Sequence, residues 1–270
     1  GRNYVGKSPF RDDKNPSFSV DPARGTFVDR ARQEYRGNAV KFVILIESCD
    51  WLEAMHKLAE RYGIDTTSQL TDAQKAHHTV KTRYYQAMEA AVAFYQKTLV
   101  SSPTGQEFTQ NYLSAERNID LGDIQTWSLG LSLPGWEHLL KALTAQGFTE
   151  LELKGAGLIG YSDKSQKHYD RFRGRWMIPI HDANGKAIGF GARKLPGAPA
   201  EDAKYINTSE TDIYKKSEVL FGLHQAKKHM QDDDICILVE GYTDVISLHG
   251  LGVKSVVASC GTALTSQQAR

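Results

Sequence analysis

The sequence predicts a multidomain α+β protein, and three observations carry that prediction. The first 65 residues set short extended runs between Gly, Pro and Asn before turning helical. The middle joins amphipathic helices to a hairpin. From residue 231, two apolar runs flank one helix, the pattern of a βαβ unit. A chain of 270 residues has room for two domains and a sizeable core.

The elements follow in order. Residues 16–20 (PSFSV) are extended, and 38–48 and 51–62 have helical periodicity, with Gly63 placed to end the second helix at its C′ position. Residues 66–80 are polar and aperiodic, so they are expected to form a linker between a small module at 1–65 and a larger unit at 81–230. Tyr85, Met88, Val92 and Tyr95 recur at spacings of three and four, which marks an amphipathic helix over 82–100. Thr104 and Glu107 have capping-box spacing before an apolar run, Asp120 and Asp123 open a further helix, and Gly147 stops a helix over 136–146. The runs 175–180 and 187–190 flank Asn184-Gly185, a hairpin signal. Residues 235–239 (ICILV) read as a buried parallel strand, followed by a helix through Leu248 and a second strand at 255–258, so a last unit is expected at 231–270.

Composition narrows the classes of function. Apolar residues make up 40% and charged residues 24%, which excludes a largely disordered chain. No apolar stretch approaches the roughly 18 residues of a membrane helix, and the opening GRNYVGKSPF lacks a signal-peptide core, so a cytoplasmic protein without membrane partners is expected. The net charge of +1 hides a basic stretch: Lys164, Lys167, Arg171, Arg173, Arg175, Lys186, Arg193 and Lys194 face only Asp170 and Asp182 over the same span. Cys49, Cys236 and Cys260 lie far apart, which argues against a disulfide framework or a thiolate metal site and for buried free thiols.

The chemistry concentrates at Glu240-Gly241-Tyr242-Thr243-Asp244, directly after the apolar run. A carboxylate at the C-terminal end of a parallel strand, beside a glycine, stands where open α/β sheets place ligands. Glu240 either serves phosphoryl chemistry, holding Mg²⁺ or moving a proton, or caps the helix that begins near Thr243.

Several ordered blocks carry a family resemblance. YDRFRGRWMIPI (169–180), IGFGAR (188–193), KYIN (204–207), Glu210-Thr211, LFGL (220–223) and, upstream, YLSAER (112–117) resemble the catalytic-domain blocks of bacterial DnaG-type DNA primases. Glu240 to Asp244 with Gly261-Thr262 resembles the Toprim fold of the same family. The resemblance covers nearly the whole chain. It implies a DNA primase that synthesises short RNA primers on single-stranded DNA by metal-dependent nucleotidyl transfer from ribonucleoside triphosphates. Glu240 would be catalytic and part of a Mg²⁺ or Mn²⁺ site. Arg117, Arg171, Arg173, Arg175, Arg193, Lys204, Tyr205, Asn207 and Lys216 would bind template and nucleotide, although an aromatic in a strand, as Tyr205 is, is more often core. Replicative helicase and single-strand-binding protein are implied partners.

The N-terminal module resembles the family's zinc-binding ribbon without its ligands. Ser8-Pro9-Phe10-Arg11 stands where the family has Cys-Pro-Phe-His, and the later Cys-x-x-Cys falls in the Asp29 to Gln33 segment. No thiolate is available for a tetrahedral site, so no zinc is expected and Phe10, Phe18, Phe27 and Phe42 are expected to hold the fold. Arg11, Arg30 and Arg32 either contact phosphate as accessory DNA-binding residues or are solvated charges. The family's further acidic residues, an Asp and an Asp-x-Asp, have no counterpart before Arg270, so the metal site is expected to be incomplete and this fragment inactive alone. Two rivals remain: a non-catalytic single-strand-binding protein of primase shape, and a Toprim nuclease or topoisomerase, whose families lack the blocks from Arg175 to Leu223.

Overall fold

The computed structural model describes residues 3–11, 13–47, 51–64, 72–259 and 263–269 and divides into two compact units, Gly1–Lys75 and Ala76–Arg270. The expected Cys49, Cys260, Gly261 and Thr262 features lie outside the described residues.

The first unit is an antiparallel four-stranded sheet in sequential order, β1 (Tyr4–Gly6), β2 (Phe18–Asp21), β3 (Thr26–Asp29) and β4 (Arg36–Asn38), followed by α1 (Ala39–Glu47) and α2 (Trp51–Tyr62). Asp21 accepts the N–H groups of Ala23 and Arg24 and so builds the turn that pairs Val20 with Phe27. Its interior is a cluster of rings: Phe10 lies 4.9–5.7 Å from Phe18, Phe27, Tyr35 and Phe42. The expected four phenylalanines pack together, joined by Tyr35. Gly63, at φ +63°, ends α2 in a Schellman arrangement: its N–H reaches Glu60 O at 3.3 Å and that of Ile64 reaches Ala59 O at 2.8 Å.

The second unit takes in α3 (Asp72–Ser101) from Ala76 on, and the buried face of that helix runs Ala87, Met88, Ala91, Val92, Tyr95 and Leu99. Residues 72–80, expected as linker, are helical. Their Ala, Gln and Lys are good helix formers, and a helix already nucleated by a packed segment extends at little cost. Next comes α4 (Pro103–Phe108), where Ser102 rather than Thr104 is the cap: its Oγ accepts the Gly105 N–H at 3.0 Å, and Pro103 takes the first turn, where no N–H is needed. A π-helical turn over Thr109–Ser114 leads to α5 (Leu121–Thr126), whose Asp120–Asp123 capping box forms as the spacing predicts.

Strand β5 (Gly130–Ser132), helices α6 (His138–Thr144) and α7 (Glu150–Gly155), and the hairpin β6 (Ile159–Ser162) and β7 (Lys167–Asp170) follow. Strands β8 (Arg175–His181), β9 (Ala187–Lys194) and β10 (Tyr205–Asn207) then complete a second antiparallel sheet in the order β10-β9-β8-β5. The hairpin forms where its signal stands. Asn184-Gly185 sits in a longer loop, where Asp182 Oδ1 accepts the N–H groups of Asn184 and Lys186, and a bulge shifts the register at Ile180/His181.

Helix α8 (Leu223–Asp233), β11 (Ile237–Val239), α9 (Tyr242–Gly250) and β12 (Val256–Ala258) form the expected βαβ unit, with β11 parallel to β12. One core joins Ala87 to Ala258 through Trp127, Trp176, Phe190 and Val245, so residues on both sides of position 230 fold as one compact body. Burial is the correction here. Within these 270 residues strand β12 is fully buried, but Ile237 and Leu238 of β11 are 38% and 44% exposed and Cys236, expected inside, is exposed. Apolar composition gives a strand the capacity to be buried, whereas covering elements decide whether it is. Among the described residues no helix is long and apolar enough to cross a membrane.

Candidate nucleic-acid interface

The central sheet positions the site by alternation. On β9, Phe190 points to α3, where its ring meets Tyr95 at 5.4 Å, and the adjacent Gly191 faces α9 on the other side. A Cβ at Gly191 would stand 2.5 Å from the Tyr242 ring, so only glycine lets α9 approach the strand this closely. Tyr242 is buried, and its hydroxyl donates to Asn207 Oδ1 on β10 at 2.9 Å. Its ring lies 5.8 Å from that of Tyr205. Glu240, two residues before Tyr242 and exposed, is thereby tied to the strands that carry the basic residues.

Those residues form a connected series. Arg193 on β9 donates to the Tyr205 hydroxyl at 2.8 Å. Burial works against its charge, but that hydrogen bond and the neighbouring Tyr112 raise its pKa above the ordinary value. Tyr112 also accepts from Arg117 Nε at 2.9 Å, and the Arg117 guanidinium lies 5.1 Å over its ring. The π turn makes this possible: it brings residue i+5 back over residue i, and the Arg117 N–H reaches Tyr112 O at 3.1 Å. Across the site, Arg171 donates through Nε and Nη2 to Asn207 O. Burial lowers its pKa without discharging it, because a guanidinium stays protonated in proteins. Arg173 donates to Asp170 O and stacks 4.2 Å over the exposed Trp136 and 5.3 Å over Tyr169. Lys204 is exposed, and Lys216 is half-buried with its N–H held by Glu210.

Two predicted site residues depart from expectation. Arg175 is 8% exposed and donates to the carbonyls of Ala192 and Ala203, so it turns inward and ties strands together. Arg11 is ion-paired to Asp13 and Asp29 at 3.2 Å each, which neutralises the charge a phosphate would need. Arg30 and Arg32 are exposed, Arg32 with Glu34 at 3.6 Å. Sequence reasoning missed Tyr112 and Tyr242 as organisers, since nothing in YLSAER announces a π turn and an aromatic after Glu240-Gly241 reads as core.

Glu240 does not cap α9. That task falls to Asp244, whose Oδ2 accepts the Gly241 N–H at 3.1 Å. The Glu240 carboxylate is thus suited to a cation, but as a single ligand: among the described residues no three His, Cys, Asp or Glu side chains come together to hold a metal. A cleft of about 540 Å³ beside Arg171 and Lys154 is lined also by Glu210 and Asp212, whose carboxylates repel phosphate. Arg117 likewise borders a cleft, of about 320 Å³, that also carries Asp120 and Asp123.

Comparison with known proteins gives matches along most of the chain. Residues 1–75 match the family model described as CHC2 zinc finger, 94–227 that of the DNA primase catalytic core, N-terminal domain, and 234–270 that of the Toprim domain. The DNA primase of Streptomyces coelicolor is 38% identical over 267 residues, which cover 97% of this chain and 40% of that protein. The Aquifex aeolicus primase structure (zinc-binding and RNA polymerase domains) is 33% identical with a TM-score of 0.62, covering 100% of this chain and 62% of that one. A DnaG primase catalytic domain solved with bound single-stranded DNA is 35% identical with a TM-score of 0.60, over 71% of this chain and 57% of that one. The chain thus spans about two fifths of the length of such curated relatives.

Proposed function

Because this chain belongs to the bacterial DnaG-type DNA primase family, we propose that it is the template-gripping front part of an enzyme that makes RNA primers on single-stranded DNA. The observation that carries this reading is the Arg117–Tyr112–Arg193–Tyr205–Tyr242–Asn207 series, which links a basic surface to the strand end bearing Glu240. Arg117, Arg171, Arg173 and Arg193 donate to tyrosine hydroxyls and backbone carbonyls rather than to carboxylates, so their positive charge stays available to phosphates. The Tyr112 and Tyr205 hydroxyls, each accepting from an arginine, keep their own protons to donate. Trp136 and Tyr205 offer ring faces to bases without selecting among them.

Lys204 and Lys216 extend the grip, and Arg30 and Arg32 on the first unit add accessory contacts. Glu240 would hold part of a Mg²⁺ or Mn²⁺ site. A bound divalent ion there would neutralise phosphate charge and favour the ionised nucleophile. Glu240 supplies one carboxylate of that site, so the 270 residues alone are expected to bind template and not to extend it. Ribonucleoside triphosphates are the proposed substrates, the replicative helicase and single-strand-binding protein the proposed partners, and the cytoplasm, where bacterial replication runs, the proposed location.

The test is primer synthesis by the full-length enzyme on single-stranded DNA with Mg²⁺. Glu240→Gln should abolish synthesis and leave template anisotropy unchanged, since it removes a charge and little volume. Synthesis undiminished in that variant would remove Glu240 from the metal site.

A further inference from the structure

The match of residues 1–75 to a zinc finger implies a zinc ion, and the residues present do not fit one. The expected ligand positions carry the Ser8 hydroxyl and the Arg11 guanidinium, and the Asp29 to Gln33 segment holds neither Cys nor His. A guanidinium has five N–H donors and no lone pair to offer, and its charge repels a second cation.

A closed polar network stands in that place. Arg11 donates through Nε to Asp29 Oδ2 at 3.2 Å and through Nη2 to Ser17 Oγ at 2.6 Å, and its Nη1 pairs with Asp13 Oδ1 at 3.2 Å. Ser17 Oγ lies 2.7 Å from Asp13 Oδ2 and 3.0 Å from Asp29 Oδ1. The Ser8 N–H closes on Asp13 Oδ2 at 3.0 Å. Asp29 is fully buried and Asp13 is 7% exposed. Buried carboxylates persist only when paired and hydrogen-bonded, and every oxygen of these two has a partner. The network spans 18 residues, joining the turn before β2 to the end of β3, the two segments that a ribbon metal would clamp. Asp29 Oδ1 also accepts the Ala31 N–H at 2.9 Å and the Arg32 N–H at 3.4 Å, which fixes the loop displaying Arg30 and Arg32.

We propose that the first unit is a metal-free ribbon in which the Arg11 guanidinium, gripped by Asp13, Ser17 and Asp29, replaces zinc as the internal cation that joins its two halves. Arg11 and Asp29 are then positioning residues for the Arg30–Arg32 loop.

The test is hydrogen exchange on the 270-residue chain, read separately over residues 1–75 and 76–270, together with elemental analysis. The expected result is no stoichiometric zinc, exchange unchanged by EDTA, and exchange over 1–75 faster by about tenfold or more in Arg11→Met or Asp29→Asn, because removing one partner strands a buried charge. Residues 76–270 should be unaffected. Arg11→Lys, which keeps the cation but not the fork, should recover part of the protection lost in Arg11→Met. About one zinc per chain whose chelation speeds exchange over 1–75 would overturn the proposal. So would unchanged exchange in Arg11→Met, or Arg11→Lys behaving no better than Arg11→Met.

Discussion

Arg11 in the first unit and Arg193 in the second are both partly buried and both hydrogen-bonded, yet their partners differ in charge. Arg11 is held by two carboxylates, Arg193 by a tyrosine hydroxyl. A carboxylate neutralises a guanidinium and makes it a structural fastener, whereas a hydroxyl orients it and leaves its field intact. The interiors match this division. The first unit has a small ring cluster and an ionic clamp. The second has an extended apolar core, and its Arg117 and Arg193 are held by tyrosine hydroxyls rather than carboxylates. Between these two arginines, partner charge rather than burial or side-chain type separates the fastener from the candidate ligand.

The largest effect should come from Trp176, which is fully buried in the second unit against Phe108 and Tyr112. Trp176→Ala should destabilise that unit by about 3–5 kcal/mol in denaturant melts followed by circular dichroism. If exchange over residues 1–75 rises as well, the units are not energetically separate. Gly191→Ala should cost about 1–3 kcal/mol, because the Tyr242 ring or β9 must move, and should loosen template binding with it. Unchanged affinity in a destabilised protein would detach Tyr242 from the interface.

Salt tests the comparison directly. Arg193→Gln should weaken single-stranded DNA binding about equally for different sequences and flatten the plot of log K against log salt by about 0.7. Lys164→Ala, at the exposed β6–β7 turn, should leave the slope alone. Anisotropy over a salt series reads both, and equal slopes would return the arginine–tyrosine series to ordinary surface charge.

Acid should discriminate between the units more gently. Hydrogen bonds from Ser17 and Ser8 lower the Asp13 pKa, and for Asp29 the hydrogen bonds from Ser8 and Arg11 outweigh burial and lower it too. A lowered folded-state pKa means stability that is full above the unfolded value of 3.8 and lost as pH falls through the folded one. In the second unit, Glu152 beside Arg83 behaves likewise, with its pKa lowered from 4.5 to about 2. There Asp170 works the other way: burial raises its pKa, so its ionised form costs stability near neutrality and that cost shrinks on acidification. Acidification below 3.8 should therefore cost the first unit, whose buried carboxylates have no such offset, more exchange protection than the second, and the reverse would contradict the ionic clamp.

Periodicity alone specified α1, α2 and the packed part of α3. Asp120 and Asp123 specified a cap, and the runs around Asn184-Gly185 specified β8 and β9, because each signal is local and each outcome depends on neighbours a few residues away. The chemistry at Glu240 was legible for the same reason, a strand end followed by glycine. What only the tertiary structure decided is where charges and apolar runs end up. Arg175 and Arg193 are alike in sequence, but one faces two carbonyls inside the sheet and the other a tyrosine at its edge. Ile237 and Val256 both sit in apolar runs, yet one is exposed and the other buried. Arg11 finds Asp29 only because strand pairing brings residues 18 apart together. Burial and pairing are set by partners distant in sequence, so a linear pattern fixes what a residue can do and the fold selects which of those things it does.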